Sequence, residues 1–375
     1  MKNKLVFITD SGFWSHKPEI IKELNARYFL KAFVHYENDS GNCKLTDLTD
    51  FKANHKADLN IVFKKHRSRS FKRIWSDLKN IILPVVKYNA DIIYIESFGS
   101  PYFLLLAAAF FKRKKVIIAV HDAALHEISE NKVPKSALLY QKLYIKLFKN
   151  FQLFSYNQEK IFNKNNPTKT TFVARLFLVG TDLEKPNNNL IKETSFLYFG
   201  RILHYKGVDV LIKAINLLAV KKYDFKVTIA GSCSNWSELY EPLIDEPEKI
   251  NAKINFIPKE EVNELFSSSR FFIVPYRTVT QSGPLMRAYN YDMIPICSNI
   301  DGFKEYISDA KTGFLFENES HESLAQTMEN AIKLNEEDKT KIIDNIKEFK
   351  KQEFDIMVLA NKYCNMFNNV IQNAK

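Results

Sequence analysis

The stretch "SFLYFGRILHYKGVDVLIKAINLLAV", residues 195–220, runs from a short apolar and aromatic segment through two glycines into an amphipathic helical pattern. Its apolar segment is continuous rather than alternating, as in a strand covered on both faces. The same unit recurs downstream. "FKVTIAG" (225–231) leads to "SNWSELYEPLI", "INFIP" (254–258) to "KEEVNELFSSS", and "FFIVPY" (271–276) to a loop and short helix. "IPICSN" (294–299) leads to "GFKEYI", and "GFLF" (313–316) to "HESLAQTMENAIKL". Such alternation predicts a parallel sheet with helices on both sides.

The first half repeats the rhythm less cleanly, with strands predicted at 5–9, 28–36, 91–97, 115–122, 151–156 and 170–174. Between the halves, "DLEKPNNNLIKET" (182–194) lacks periodicity and reads as a linker. The expected fold is α/β: two Rossmann-like domains, 1–181 and 195–350, with strand C-termini facing a ligand cleft. A last amphipathic helix is predicted within 353–375.

At 375 residues, 46% hydrophobic and 26% charged, the composition is globular. The longest apolar run, "YFLLLAAAFF" (102–111), is half of the about 20 residues a membrane span needs. The N-terminus has no secretory signal pattern, which places the chain in the cytoplasm. Cys43, Cys233, Cys297 and Cys364 have no metal or disulfide spacing and read as reduced thiols.

A net charge of +11 favours anionic partners. Its densest piece is "FKKHRSRSFKRIW" (63–75), where bases alternate with large apolar groups. Two readings stay open: a surface for an anionic membrane face, or a solvated loop before a helix whose Phe71, Ile74 and Leu78 enter the core. No nucleic-acid reading module is present.

The first strand is followed by a single glycine, Gly12, and no dinucleotide fingerprint; no P-loop and no D-x-D pair occur either. A diphosphate must then be held by protein cations and backbone N–H groups. Gly200 and Arg201 end a strand, and Lys206 follows just before the next helix. Arg201 can offer a planar fork to two phosphate oxygens, and Lys206 a point charge that stabilises a departing diphosphate. The loop "RTVTQSGPLMRAYNYDMIP" (277–295) adds the N–H groups of Gln281, Ser282 and Gly283 at a helix start. In "AVHDAALHE", His121 and Asp122 end a strand, with His126 close behind.

These segments, in this order over about residues 195–333, resemble the C-terminal domain of the group 1, or family 4, retaining glycosyltransferases. The resemblance implies a GT-B fold, with the C-terminal domain binding a nucleotide-sugar, the N-terminal domain binding the acceptor, and no metal or other cofactor. Arg201 and Lys206 are then its diphosphate-binding pair. His121 looks like the family's histidine that faces the donor sugar, and the C-terminal helix joins the N-terminal domain. The segment around Ile257 is where the family seats the base, and Glu305 takes the place of a donor-site glutamate. Gly12, Asp122 and His126 are assigned to the acceptor side or cleft.

One departure stands out. The family commonly carries two glutamates across the loop at 277–295, and aligning Gly283 and Pro295 puts Thr280 and Ala288 in their places. Thr280 keeps a hydroxyl for the donor, whereas Ala288 cannot bond a ribose. The expected activity is transfer of a sugar from a nucleoside diphosphate to an acceptor hydroxyl with retention. The expected acceptor is a saccharide or lipid-linked saccharide at the inner membrane face. The alternative is a non-catalytic relative that binds a nucleotide-sugar or a partner.

Overall fold

The computed structural model describes residues 2–40, 43–65, 67, 70–96, 102–123, 135–176, 193–279 and 282–374. They divide into two compact units, one holding the described residues up to 176 together with 353–374, the other holding 193–352.

The first unit runs β1 (Lys4–Asp10), α1 (Pro18–Arg27), β2 (Phe29–Tyr36), α2 (Leu45–His55), β3 (Asp58–Phe63) and α3 (Phe71–Asp77). A π-helical turn (Leu78–Ile82) carries α3 into α4 (Leu83–Tyr88). Then come β4 (Ile92–Ile95), α5 (Phe103–Phe110), β5 (Val116–Val120), α6 (Lys135–Leu147), β6 (Asn150–Leu153), α7 (Tyr156–Asn165) and β7 (Thr170–Val173). Its strands are all parallel, in the order β3-β2-β1-β4-β5-β6-β7.

The second unit runs β8 (Glu193–Phe199), α8 (Val208–Ala219), β9 (Lys226–Ala230), α9 (Trp236–Leu239), β10 (Ile250–Lys253), α10 (Lys259–Ser268) and β11 (Ser269–Val274). It continues with α11 (Gly283–Asn290), β12 (Ile294–Ser298), α12 (Asp301–Lys304), β13 (Phe314–Phe316), α13 (His321–Lys333) and α14 (Glu336–Phe354). The sheet is parallel, in the order β10-β9-β8-β11-β12-β13. Both orders reverse direction next to their first strand, between β1 and β4 and between β8 and β11, where doubly wound folds open a crevice for ligands.

The last helix, α15 (Ile356–Ala374), belongs to the first unit. Its inner stripe of Leu359, Tyr363, Met366, Phe367 and Val370 packs with α1 and α2 over one face of that unit's sheet. The other face is covered by the α3–α4 segment, α5 and α6, through Ile81, Ile82, Val85, Phe103, Leu104, Tyr144 and Phe148.

Three local expectations are corrected. β3, at the sheet edge, was absent from the predicted strands because Asp58 and Asn60 dilute its apolar pattern. The strand expected at 254–258 lies instead at Ile250–Lys253, which hides "INAK" behind a polar sequence. In α3, Phe71 is 89% exposed and Trp75 67% exposed, while Arg73 and Asp77 are buried, so Phe71 does not enter the core.

That inward polar face is imperfectly satisfied. Arg73 Nε lies 3.1 Å from Asp77 Oδ1, and His35 Nε2 lies 3.6 Å from the same oxygen. Yet both Asp77 oxygens, both His35 nitrogens and Arg73 Nε and Nη2 are buried without a well-formed hydrogen bond among the described residues. Burial lowers the His35 pKa, with Asp77 opposing. A buried ion pair of this kind costs more to break than to replace. Arg73→Met alone is expected to lower the unfolding free energy by about 3–5 kcal/mol. The triple change His35→Leu, Arg73→Met, Asp77→Leu should recover most of that loss. Urea unfolding followed by circular dichroism checks both; equal losses in the two variants would contradict the assignment.

Candidate functional site

In the second unit, three loops leave the strand C-termini at the crevice and are locked together by close backbone contacts. Gly231, after β9, has φ 149°, and a Cβ on it would stand 2.1 Å from the Gly200 carbonyl oxygen. Gly207 caps α8 at φ 64°, and a Cβ there would stand 1.9 Å from the Pro275 carbonyl oxygen. Only glycine permits both approaches. Arg277 then ties the loop after β11 to the start of α8. It bonds both Asp209 oxygens, at 3.0 and 2.7 Å, the His204 carbonyl at 2.5 Å and Glu319 at 3.1 Å.

The result brings Gly200, Arg201, Lys206 and the start of α11 to one place. A Cβ on Gly200 would lie 3.1 Å from Lys206 Nζ and 3.6 Å from Pro284 Cγ. Arg201 is exposed. Lys206 is half-buried, with its ammonium 5.1 Å from the centre of the Tyr276 ring and 6.0 Å from that of Tyr205. Burial, then repulsion from Arg201, lowers the Lys206 pKa to about 8. Neither cation has a hydrogen bond or ion pair among the described residues. Two uncompensated cations beside a helix N-terminus form a site for an anion.

Ser282 is the N-cap of α11, its hydroxyl accepting from the Leu285 N–H at 3.3 Å. The hydroxyl offered to the ligand by the sequence reading is thus engaged in starting the helix. Gly283 has open space where a side chain would stand. Thr280 and Gln281 lie outside the described residues. Glu305 caps the end of α12, whose Gly302 packs on the Val279 carbonyl, so it sits one loop away from α11. Ile257 is buried after β10, next to a Phe256 that is 84% exposed. Ala288 is fully buried in α11. Its neighbour Arg287 lies 6.0 Å from the Phe199 ring centre and 5.9 Å from that of Phe266.

In the first unit, His121 follows β5, its ring held between Phe13, at 4.2 Å between centroids, and Phe154, at 4.4 Å. The carboxylate facing its Nε2 is Glu96, 3.7 Å away. Glu96 is buried, accepts from the Thr9 hydroxyl at 2.8 Å and pairs with the buried Lys17 at 2.5 Å. Burial pulls the Lys17 pKa down, but the Glu96 charge, with Tyr363, more than restores it and leaves it above the ordinary value.

Sequence reading missed Lys17, Glu96, Phe13 and Phe154. The available signal was Glu96 at the end of "DIIYIES", a charge placed directly after an apolar strand. Asp122 contributes its carbonyl to Gln141 Nε2 at 3.0 Å. Gly12 donates its N–H to Asp10 in the turn after β1. His126 lies outside the described residues. Among the described residues no three His, Cys, Asp or Glu side chains could together hold a metal ion, and no helix is long and apolar enough to cross a membrane.

Residues 181–349 match the family described as glycosyl transferases group 1. A glycogen synthase of Thermodesulfovibrio yellowstonii is 24% identical over 55% of this chain and 43% of its own length. The chain thus spans under half of that relative. The capsular polysaccharide biosynthesis glycosyltransferase CapM of Staphylococcus aureus is 21% identical over 80% of this chain and 83% of its own. Among solved structures, Anabaena HepE in complex with UDP and glucose superposes with a TM-score of 0.67 at 14% identity, covering 98% of this chain and all of that one. The chain therefore has the GT-B fold, and over residues 181–349 it carries a group 1 glycosyl transferase domain.

Proposed function

We propose that the protein transfers a sugar from a nucleoside diphosphate to a saccharide hydroxyl, with retention and without a metal. The observation that carries this is the pair of uncommitted cations, Arg201 and Lys206, beside the start of α11. As the bond from the anomeric carbon to the diphosphate oxygen breaks, negative charge gathers on that oxygen, and the two cations stabilise it. The acceptor oxygen bonds the same face of the anomeric carbon, and its proton passes to the departing diphosphate. The second unit is the nucleotide-sugar domain and the first the acceptor domain. His121, clamped between two phenyl rings and aimed by Glu96, hydrogen-bonds a sugar hydroxyl or the leaving oxygen.

The solved HepE complex makes UDP-glucose the first donor to test. CapM, matched over most of both chains, favours surface polysaccharide assembly over glycogen synthesis. The acceptor is then a saccharide or lipid-linked saccharide at the inner membrane face, met by the basic stretch 63–75. The missing carboxylates at Thr280 and Ala288 support a second reading, a non-catalytic nucleotide-sugar binder.

A thermal-shift comparison of UDP-, GDP-, ADP- and dTDP-sugars tests the donor assignment. One of them should stabilise the wild type, by about 2.7 kcal/mol at a hundredfold excess over Kd, and leave Arg201→Ala unshifted. Transfer or donor hydrolysis by the wild type, lost in Arg201→Ala, separates enzyme from binder. No shift with any donor would sink the proposal.

Lys206 gives the site a pH signature. Its free-state pKa is lowered to about 8, and a bound diphosphate holds the proton on. Affinity for UDP is therefore full below that value and falls as pH rises through it, by up to about tenfold per pH unit. Isothermal titration calorimetry should show this decline in the wild type and its absence in Lys206→Arg.

A further inference from the structure

The α3–α4 segment, α5 and α6 form one layer over one face of the first unit's sheet. Their sequences, residues 71–90, 102–115 and 135–150, contain a single acidic residue, Asp77, and it is buried. The same stretches present ten exposed lysines and arginines, among them Lys72, Lys112, Arg113 and Lys142. They also hold ten of the eighteen large apolar side chains exposed among the described residues, including Phe71 at 89%, Trp75 at 67% and Leu139 at 69%. The opposite layer differs: there α1 and α2 expose Glu19, Asp47 and Asp50.

α3 shows that this is not leftover surface. An ordinary amphipathic helix buries its aromatics and shows its charges to water. Here Phe71 and Trp75, one turn apart, point outward while Arg73 and Asp77 are buried beneath them. The helix accepts a poorly satisfied polar underside in order to keep two large rings outside.

We propose that this layer is a docking face for an anionic lipid bilayer. The choice of occupant follows from the combination of groups. A soluble polyanion calls for bases but leaves Phe71, Trp75 and Leu139 in water. A second copy of the chain in isologous contact would set like charges against each other. A bilayer interface takes both, with the rings and leucines entering the acyl boundary and the bases meeting lipid phosphates. The proposal deepens the membrane-face reading of the acceptor and relocates its surface. The stretch 63–75 contributes α3's first residues, and the rest of the face comes from α4, α5 and α6.

Flotation with phosphatidylcholine vesicles, with and without phosphatidylglycerol, tests it without any nucleotide, so its failure is separate from failure of the donor assignment. The wild type is expected to float with phosphatidylglycerol vesicles, to remain behind with phosphatidylcholine alone, and to be released by high salt. Phe71→Ser/Trp75→Ser should reduce partitioning about tenfold or more. Lys112→Gln/Arg113→Gln should reduce it by about fivefold per base. Brominated acyl chains should quench tryptophan fluorescence in the wild type and not in Trp75→Phe, since Trp14 is buried. Unchanged melting temperatures in these surface variants exclude misfolding as the cause. Equal flotation with both vesicle types, or unchanged flotation of Phe71→Ser/Trp75→Ser, would overturn the proposal. So would a salt-resistant dimer in sedimentation that Leu139→Ser/Leu143→Ser disperses, because the occupant would then be a second copy.

Discussion

Taking an ammonium out of water is costly, and each unit of this protein has placed one at the switch point of its sheet. Lys17 is fully buried and answered: Glu96 sits at 2.5 Å, and the pair is stable because neither charge is left alone. Lys206 is half-buried and unanswered, its closest companions being two aromatic rings and another cation. One lysine therefore builds structure, fixing the carboxylate that faces His121. The other stores an unfavourable charge that only an incoming anion relieves.

The backbone makes that stored charge tolerable. Gly231 against Gly200 and Gly207 against Pro275 bring the loops closer than any side chain would allow, and Arg277 is spent wholly on Asp209, Glu319 and a carbonyl. A loop free to relax would swing Lys206 into water and raise its pKa toward the ordinary value. Fixed as it is, the ammonium stays beside Arg201, and the arrangement is preorganised before any ligand arrives.

The second unit was far more legible than the first. Its strands are apolar runs buried on both faces, and its glycines sit where the chain must turn sharply, so pattern alone located Gly200, Arg201 and Lys206. What pattern could not supply was partnership across the sheet. Lys17 and Glu96 lie 79 positions apart in the chain and meet only because β1 and β4 are neighbours. α3 misled for a different reason: its periodicity fits a helix that buries Phe71, and nothing local shows that Arg73 and Asp77 take the inside instead. Strand β10 failed because "INAK" is polar at an edge, where burial imposes little on sequence.

The absent carboxylates then take on a definite electrostatic meaning. Ala288 is fully buried, so a glutamate there would need either a path out of the core or a compensating charge. With alanine at 288 and threonine at 280, neither position supplies a negative charge to offset Arg201 or Lys206. Specificity given up by losing a ribose contact is offset by stronger attraction for the diphosphate, because two undiluted cations meet it. The nucleotide's own phosphates become the counter-ions that the protein left out, and the site is electrically complete only when it is filled.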